Sequence, residues 1–258
     1  MENGRFLENV WNELAKIFGV ENWWAQTTLS KIMELDELEC KIKEAIDKTD
    51  EMVTGKFDEM VGDHKIRDGK FMVARRVYEK FGTGETLLEK LITVSDETVC
   101  NQFNLMSGLT SEKYDHVVKK MNIDLIVLND SEKIKEMIEL KNYDNNENPL
   151  SAMFQLICYY LFFCKSRIHA KTNDCKYLDT VQSLKLIVLA PNKYYQSNKN
   201  ELSNITSAIQ EKMKSLKKIS NKTVDISFQE FDIEEDLLQK LKENIEQLRE
   251  SYRGRSTI

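Results

Sequence analysis

Two carboxylates and an ammonium stand out in this chain: Asp124, and the triplet Glu139-Leu140-Lys141. They lie on two runs with strand character, 123–128 and 135–141. The stretch between them, Asn129-Asp130-Ser131-Glu132-Lys133, is polar and turn-like. Strand side chains alternate, so Glu139 and Lys141 point to one face. A hairpin turning at Ser131-Glu132 sets Asp124 directly opposite Glu139, and opposed Cβ atoms lie roughly 4.5–5.5 Å apart. Asp124, Glu139 and the backbone carbonyl of Leu140 then offer oxygen ligands to Mg2+ or Mn2+, hard ions that keep several waters. Such an ion lowers the pKa of a bound water and neutralises charge on a scissile phosphate. Lys141 is placed to orient the water or contact a phosphoryl oxygen. Phosphodiester hydrolysis fits this set; redox chemistry and acyl transfer do not.

The elements that must hold these residues can be read from the remaining pattern. Phe6, Val10, Leu14 and Phe18 form a helical stripe, with Gly19 as its C-terminal signal. A second helix is expected over Thr28–Ile46, and the adjacent Trp23 and Trp24 are expected to pack between the two. Gly62 to Lys70 reads as a boundary. Helices are expected over 71–81 and 85–94, and a strand, or alternatively a helix, over 114–121. The hairpin follows, and Pro149 then opens an apolar helix, a favoured place for proline. Its core, 152–163, is too short for a bilayer span and contains Gln155, so a buried helix is expected. Strands are expected at 185–190 and 223–231, with helices over 200–219 and 233–252. This order indicates an α/β chain, a mixed sheet flanked by helices.

Composition narrows the class. The 258 residues include 2 Pro and 9 Gly, which argues for long regular elements. No signal peptide is visible. The five cysteines are odd in number and lack a Cys-x-x-Cys pair, which fits free thiols in a reducing compartment. A soluble cytoplasmic protein that does not enter a membrane is expected. The formal charge of −6 argues against an indiscriminate nucleic-acid binder. Residues 1–65 carry 15 acidic and 8 basic side chains, whereas the rest carries 28 and 29. The acidity thus belongs to the N-terminal region, and the remainder can hold local basic patches.

An Asp early in an apolar strand, followed by Glu-x-Lys on the next, resembles the PD-(D/E)XK nuclease superfamily. Gln155-Leu156-Ile157-Cys158-Tyr159 is similar to the Gln-x-x-x-Tyr motif of its RecB-like branch. Glu-x-Lys alone is uninformative, since Glu39-Cys40-Lys41 also matches inside a helical pattern. The resemblance implies a restriction-endonuclease-like core over residues 66–232, an acidic helical N-terminal region over 1–65, and a C-terminal helix over 233–258. It implies catalytic roles for Asp124, Glu139, Lys141, Gln155 and Tyr159, and metal binding by Asp124, Glu139 and Leu140. Many members add a glutamate from the helix before the first strand; Glu79 and Glu89 are the foremost candidates, with Glu85 and Glu112 beside them. Lys165, Arg167 and Lys171, which follow the motif helix, are candidate phosphate contacts. The implied activity is Mg2+- or Mn2+-dependent cleavage of nucleic acid, DNA first, in defence or repair. The alternative is a catalytically silent nucleic-acid-binding or assembly module on the same fold. The N-terminal helices are candidates for homodimerisation or for a protein partner.

Overall fold

The computed structural model describes residues 4–61, 84–105, 121–142, 145–172, 180–195, 202–216 and 223–231. The first apolar stripe folds as α1 (Gly4–Phe18), with Phe6, Val10, Leu14 and Phe18 all buried. Gly19 ends it at φ +68°, with Val20 N–H bonded to the Ala15 carbonyl and Gly19 N–H to that of Lys16. This left-handed cap satisfies the last carbonyls of the helix and favours a residue without Cβ. The expected helix over Thr28–Ile46 is instead two, α2 (Gln26–Met33) and α3 (Leu38–Val61). Glu37, at φ +62°, breaks the run between them. The turn lets Leu29 and Ile32 on α2, and Ile42 and Ile46 on α3, each reach the core.

Helix α4 (Glu85–Ser95) leads into β1 (Val99–Asn104), then β2 (Asn122–Leu128) and β3 (Ile134–Leu140). Helix α5 (Pro149–Thr172), β4 (Thr180–Pro191), the short α6 (Asn192–Tyr195), α7 (Leu202–Ser215) and β5 (Thr223–Phe231) complete the described elements. The sheet order is β1-β2-β3-β4-β5. Pairing is antiparallel through β3 and parallel from β3 to β5, so the sheet is mixed and the chain is α/β. The first strand is β1; the expected strand over 114–121 lies outside the described residues except for Met121, which is not in a strand. The helices expected over 71–81 and 233–252 and the boundary at 62–70 also lie outside them. Strand β4 starts five residues earlier than its apolar run, because its first third, Thr180 to Ser183, is largely polar.

The β2–β3 turn is built by Asn129, whose Oδ1 accepts from Ser131 N–H at 3.1 Å and Lys133 N–H at 2.9 Å. Helix α5 begins with Asn148 as N-cap, Oδ1 accepting from Ser151 N–H at 2.8 Å, and with Pro149 in the first turn where no N–H is needed. From Ala152 to Cys164 every side chain of α5 except Gln155 is buried. It sits in one core with α1, α2, α3, α7 and a face of the sheet. Trp23 joins this core against Phe18 and Phe154, with ring centroids 4.8 and 5.5 Å away. Trp24 does not, and is 48% exposed. A smaller cluster, including Leu88 of α4, Leu125, Ile138 and Ile187, covers the other face. No helix among the described residues is long and apolar enough to cross a membrane.

Candidate active site

The hairpin register is the one the turn implies. Leu125 pairs with Ile138, Ile126 with Met137 and Val127 with Glu136. One step further along that ladder, Asp124 faces Glu139. The ladder ends there, and the Asp124 carboxylate takes over: its Oδ2 accepts from Leu140 N–H at 2.9 Å. Lys141 follows β3, its N–H bonded to the Leu189 carbonyl of β4 at 2.9 Å. Its ammonium returns to Glu139 Oε1 at 2.8 Å.

Helix α5 completes this arrangement from above the sheet. Gln155 Nε2 donates to Glu139 Oε1 at 2.7 Å and lies 3.4 Å from the Tyr159 hydroxyl. Ser151, one turn earlier, donates to Glu147 Oε1 at 3.0 Å. Positions 151, 155 and 159 therefore form a polar stripe on the mostly apolar stretch of the helix up to Cys164. Glu147 lies in the loop before α5, and its Oε2 meets Lys141 Nζ at 2.9 Å.

The glutamate Glu139 is 2% exposed, and its second oxygen, Oε2, is buried without a hydrogen-bond partner. A buried carboxylate oxygen left this way is costly unless something occupies it. Burial pushes the Asp124 carboxyl up to about 7, with Glu89 and Glu85 adding to the rise and Lys141 and Leu140 N–H opposing it. Burial, followed by Asp124, holds Glu139 well above the usual carboxylate range. For Lys141 burial disfavours the charge, but Glu139, Glu147, Asp124 and Glu85 outweigh it and raise the ammonium further. The site thus has more acid groups than its one lysine can neutralise, and a cation would relieve the excess.

The upstream glutamates divide. Glu89, on α4, is buried, with Asn101 Nδ2 on Oε1 and Gln102 Nε2 on Oε2, both at 2.6 Å. Glu85, one turn earlier, accepts from Asn145 Nδ2. Both act on Asp124 through their charge. Gly84 precedes α4 at φ +61°, a conformation that favours a residue without Cβ, and lies against the Asn142 side chain of the site loop. Glu79 and Glu112 lie outside the described residues. Among the described residues, no three His, Cys, Asp or Glu side chains form a ready cation cluster. Asp124 and Glu139 act on each other through their charge, and carboxylate oxygens are the donors that hard cations take.

The candidate phosphate contacts lie elsewhere. Lys165 stands ten residues along α5 from Gln155, roughly 15 Å of helix, and pairs with Asp50 of α3 at 3.7 Å. Arg167 Nη1 lies 3.3 Å from Thr180 Oγ1. Lys171 is on α5, but its side chain lies outside the described residues. The decoy Glu39 is an exposed partner of Lys43 on α3. Sequence reasoning missed Glu147, in a loop without periodicity, and Tyr194, whose buried hydroxyl has no partner and sits in the field of Glu147, Lys141 and Glu139. It also missed Ser151, although its spacing from Gln155 and Tyr159 was a usable signal. Compared with protein-family models, curated proteins and solved structures, the chain matches none.

Proposed function

We propose that the chain is a metal-dependent nuclease of restriction-endonuclease-like fold, cleaving phosphodiester bonds, most readily those of DNA. One observation carries the reading: Glu139 is buried opposite Asp124 with Oε1 held by Lys141 and Gln155 while Oε2 has no partner. Asp124, Glu139 Oε2 and the Leu140 carbonyl would hold Mg2+ or Mn2+. Bound there, the ion would supply an acidified water and charge neutralisation at the phosphate. The protein's own groups have separable tasks. Lys141, kept as an ammonium by its acidic neighbours, donates to a phosphoryl oxygen or orients the water; it does not take a proton. Gln155 fixes the rotamer of Glu139, and Tyr159 supports Gln155. Burial raises the Tyr159 hydroxyl, so it stays a neutral hydrogen-bonding group.

The test is cleavage of linear, circular and single-stranded DNA, with and without Mn2+, by the native chain and by Asp124→Ala and Lys141→Ala. The expected result is metal-dependent cleavage, abolished by Asp124→Ala and lowered about 10²–10³-fold by Lys141→Ala, the usual effect of deleting one preorganised charge-stabilising donor. Cleavage indifferent to both variants would refute the assignment. Metal-independent DNA binding without cleavage would favour a silent nuclease-fold module.

A further inference from the structure

Glu147 belongs to none of the motif positions, yet it touches the lysine on which the motif depends. Lys141 Nζ lies between two carboxylates, 2.8 Å from Glu139 Oε1 and 2.9 Å from Glu147 Oε2. The Lys141 side chain is 5% exposed and that of Glu147 17%, so this pair is shielded from solvent.

Glu147 is itself fixed from several directions. Its Oε1 accepts from Ser151 Oγ at 3.0 Å, and its N–H donates to Asn145 Oδ1 at 2.8 Å. Its carbonyl accepts from Gln26 Nε2 at 3.2 Å, and its backbone forms an isolated antiparallel bridge with Ala25. Asn148, the next residue, donates its N–H to the Trp24 carbonyl at 2.8 Å. The connection between α1 and α2 thus pins the loop that carries Glu147.

A lysine side chain has four rotatable carbons and a compact, freely turning ammonium. With Glu139 as its only partner, Lys141 would be free to settle on either carboxylate oxygen. A second, independently anchored carboxylate removes that freedom. We infer that Glu147 is a positioning residue: it holds the Lys141 ammonium on the Oε1 side of Glu139 and leaves Oε2 open. Its consequence for catalysis rests on the nuclease reading; the clamp itself does not.

The experiment uses the full chain with Glu147→Gln and Glu147→Asp, each checked for an unchanged melting profile. First, limited acylation with acetic anhydride is followed lysine by lysine by mass spectrometry. Lys141 reacts far more slowly than exposed Lys31 and Lys133 in the native chain. It reacts about tenfold faster in Glu147→Gln, the factor that about 1.4 kcal/mol of lost pairing corresponds to, and Glu147→Asp restores part of the protection. Equal protection in the native chain and Glu147→Gln overturns the clamp. Second, Mn2+-dependent DNA cleavage falls about 10–100-fold in kcat for Glu147→Gln, the range found for groups that orient a metal-site residue. KM for DNA stays constant and Glu147→Asp recovers activity. Unchanged kcat overturns the catalytic role. A native chain that cleaves nothing sinks the nuclease reading, and the acylation result then decides the clamp by itself.

Discussion

Asp124 binds its proton more tightly in the folded chain than in the unfolded one, because burial and the nearby Glu89 and Glu85 oppose its ionisation while Lys141 and one N–H favour it. An acid whose folded pKa is raised, here from 3.8 to about 7, contributes stability below pH 4 that is lost as pH rises through about 7. Asp124→Asn, which can still accept from Leu140 N–H, should therefore melt higher than the native chain at pH 8. A gain of about 2–4 °C, what roughly 1 kcal/mol does in a domain of this size, is expected, and the two should converge at pH 4. Mn2+ should raise the native melting temperature at pH 8 more than at pH 5, and should do little for the Asn variant. Differential scanning calorimetry across pH checks both; a pH-independent difference would remove Asp124 as the titrating group. At this scale Asp124 and Glu139 were legible because a polar turn and a period of two fix a hairpin register. Glu147 was not, because a loop residue's partner depends on how the chain returns, which no local pattern records.

Helix α5 carries both the core and the site, and its N-terminus sets where its polar stripe falls. Asn148→Ala removes the cap to Ser151 N–H together with the bonds from Nδ2 to the Trp23 and Ala25 carbonyls. A loss of about 1–2 kcal/mol is expected from the cap alone, and urea unfolding of the variant measures it. A change below 0.5 kcal/mol would mean the first turn is held by packing instead. The apolar run and Pro149 made this helix readable, as alternation made β5 readable. Strand β1 escaped because Asn101, Gln102 and Asn104 fill half of it, and two of these serve Glu89 and not a hydrophobic face. The break at Glu37 escaped because Leu29, Ile32, Ile42 and Ile46 keep a helical rhythm across it; only the backbone turn shows that two helices share the pattern.

Across the whole molecule, acidity and burial are separated by face and not by segment. The N-terminal helices are acidic outside, yet Val10, Leu14, Phe18, Trp23, Leu29 and Ile32 are at most 1% exposed within the core of α5. Removing residues 1–33 should abolish cooperative unfolding by circular dichroism, since losing Trp23 alone is expected to cost about 3–5 kcal/mol. A shortened chain that melts cooperatively near the native temperature would make these helices an appendage. Composition showed their charge and the stripe of α1 showed that a face was buried; what it was buried against is a long-range fact. That fact has a temporal side. Asn148 bonds the Trp23 carbonyl across 125 residues of chain. At about 5–20 residues per second of synthesis, the segment that pins the site loop leaves the ribosome roughly 6–25 seconds before the loop it must meet. Trp23 has Phe18 beside it through that interval but not Phe154, so the segment that pins the site loop is completed only when α5 is made.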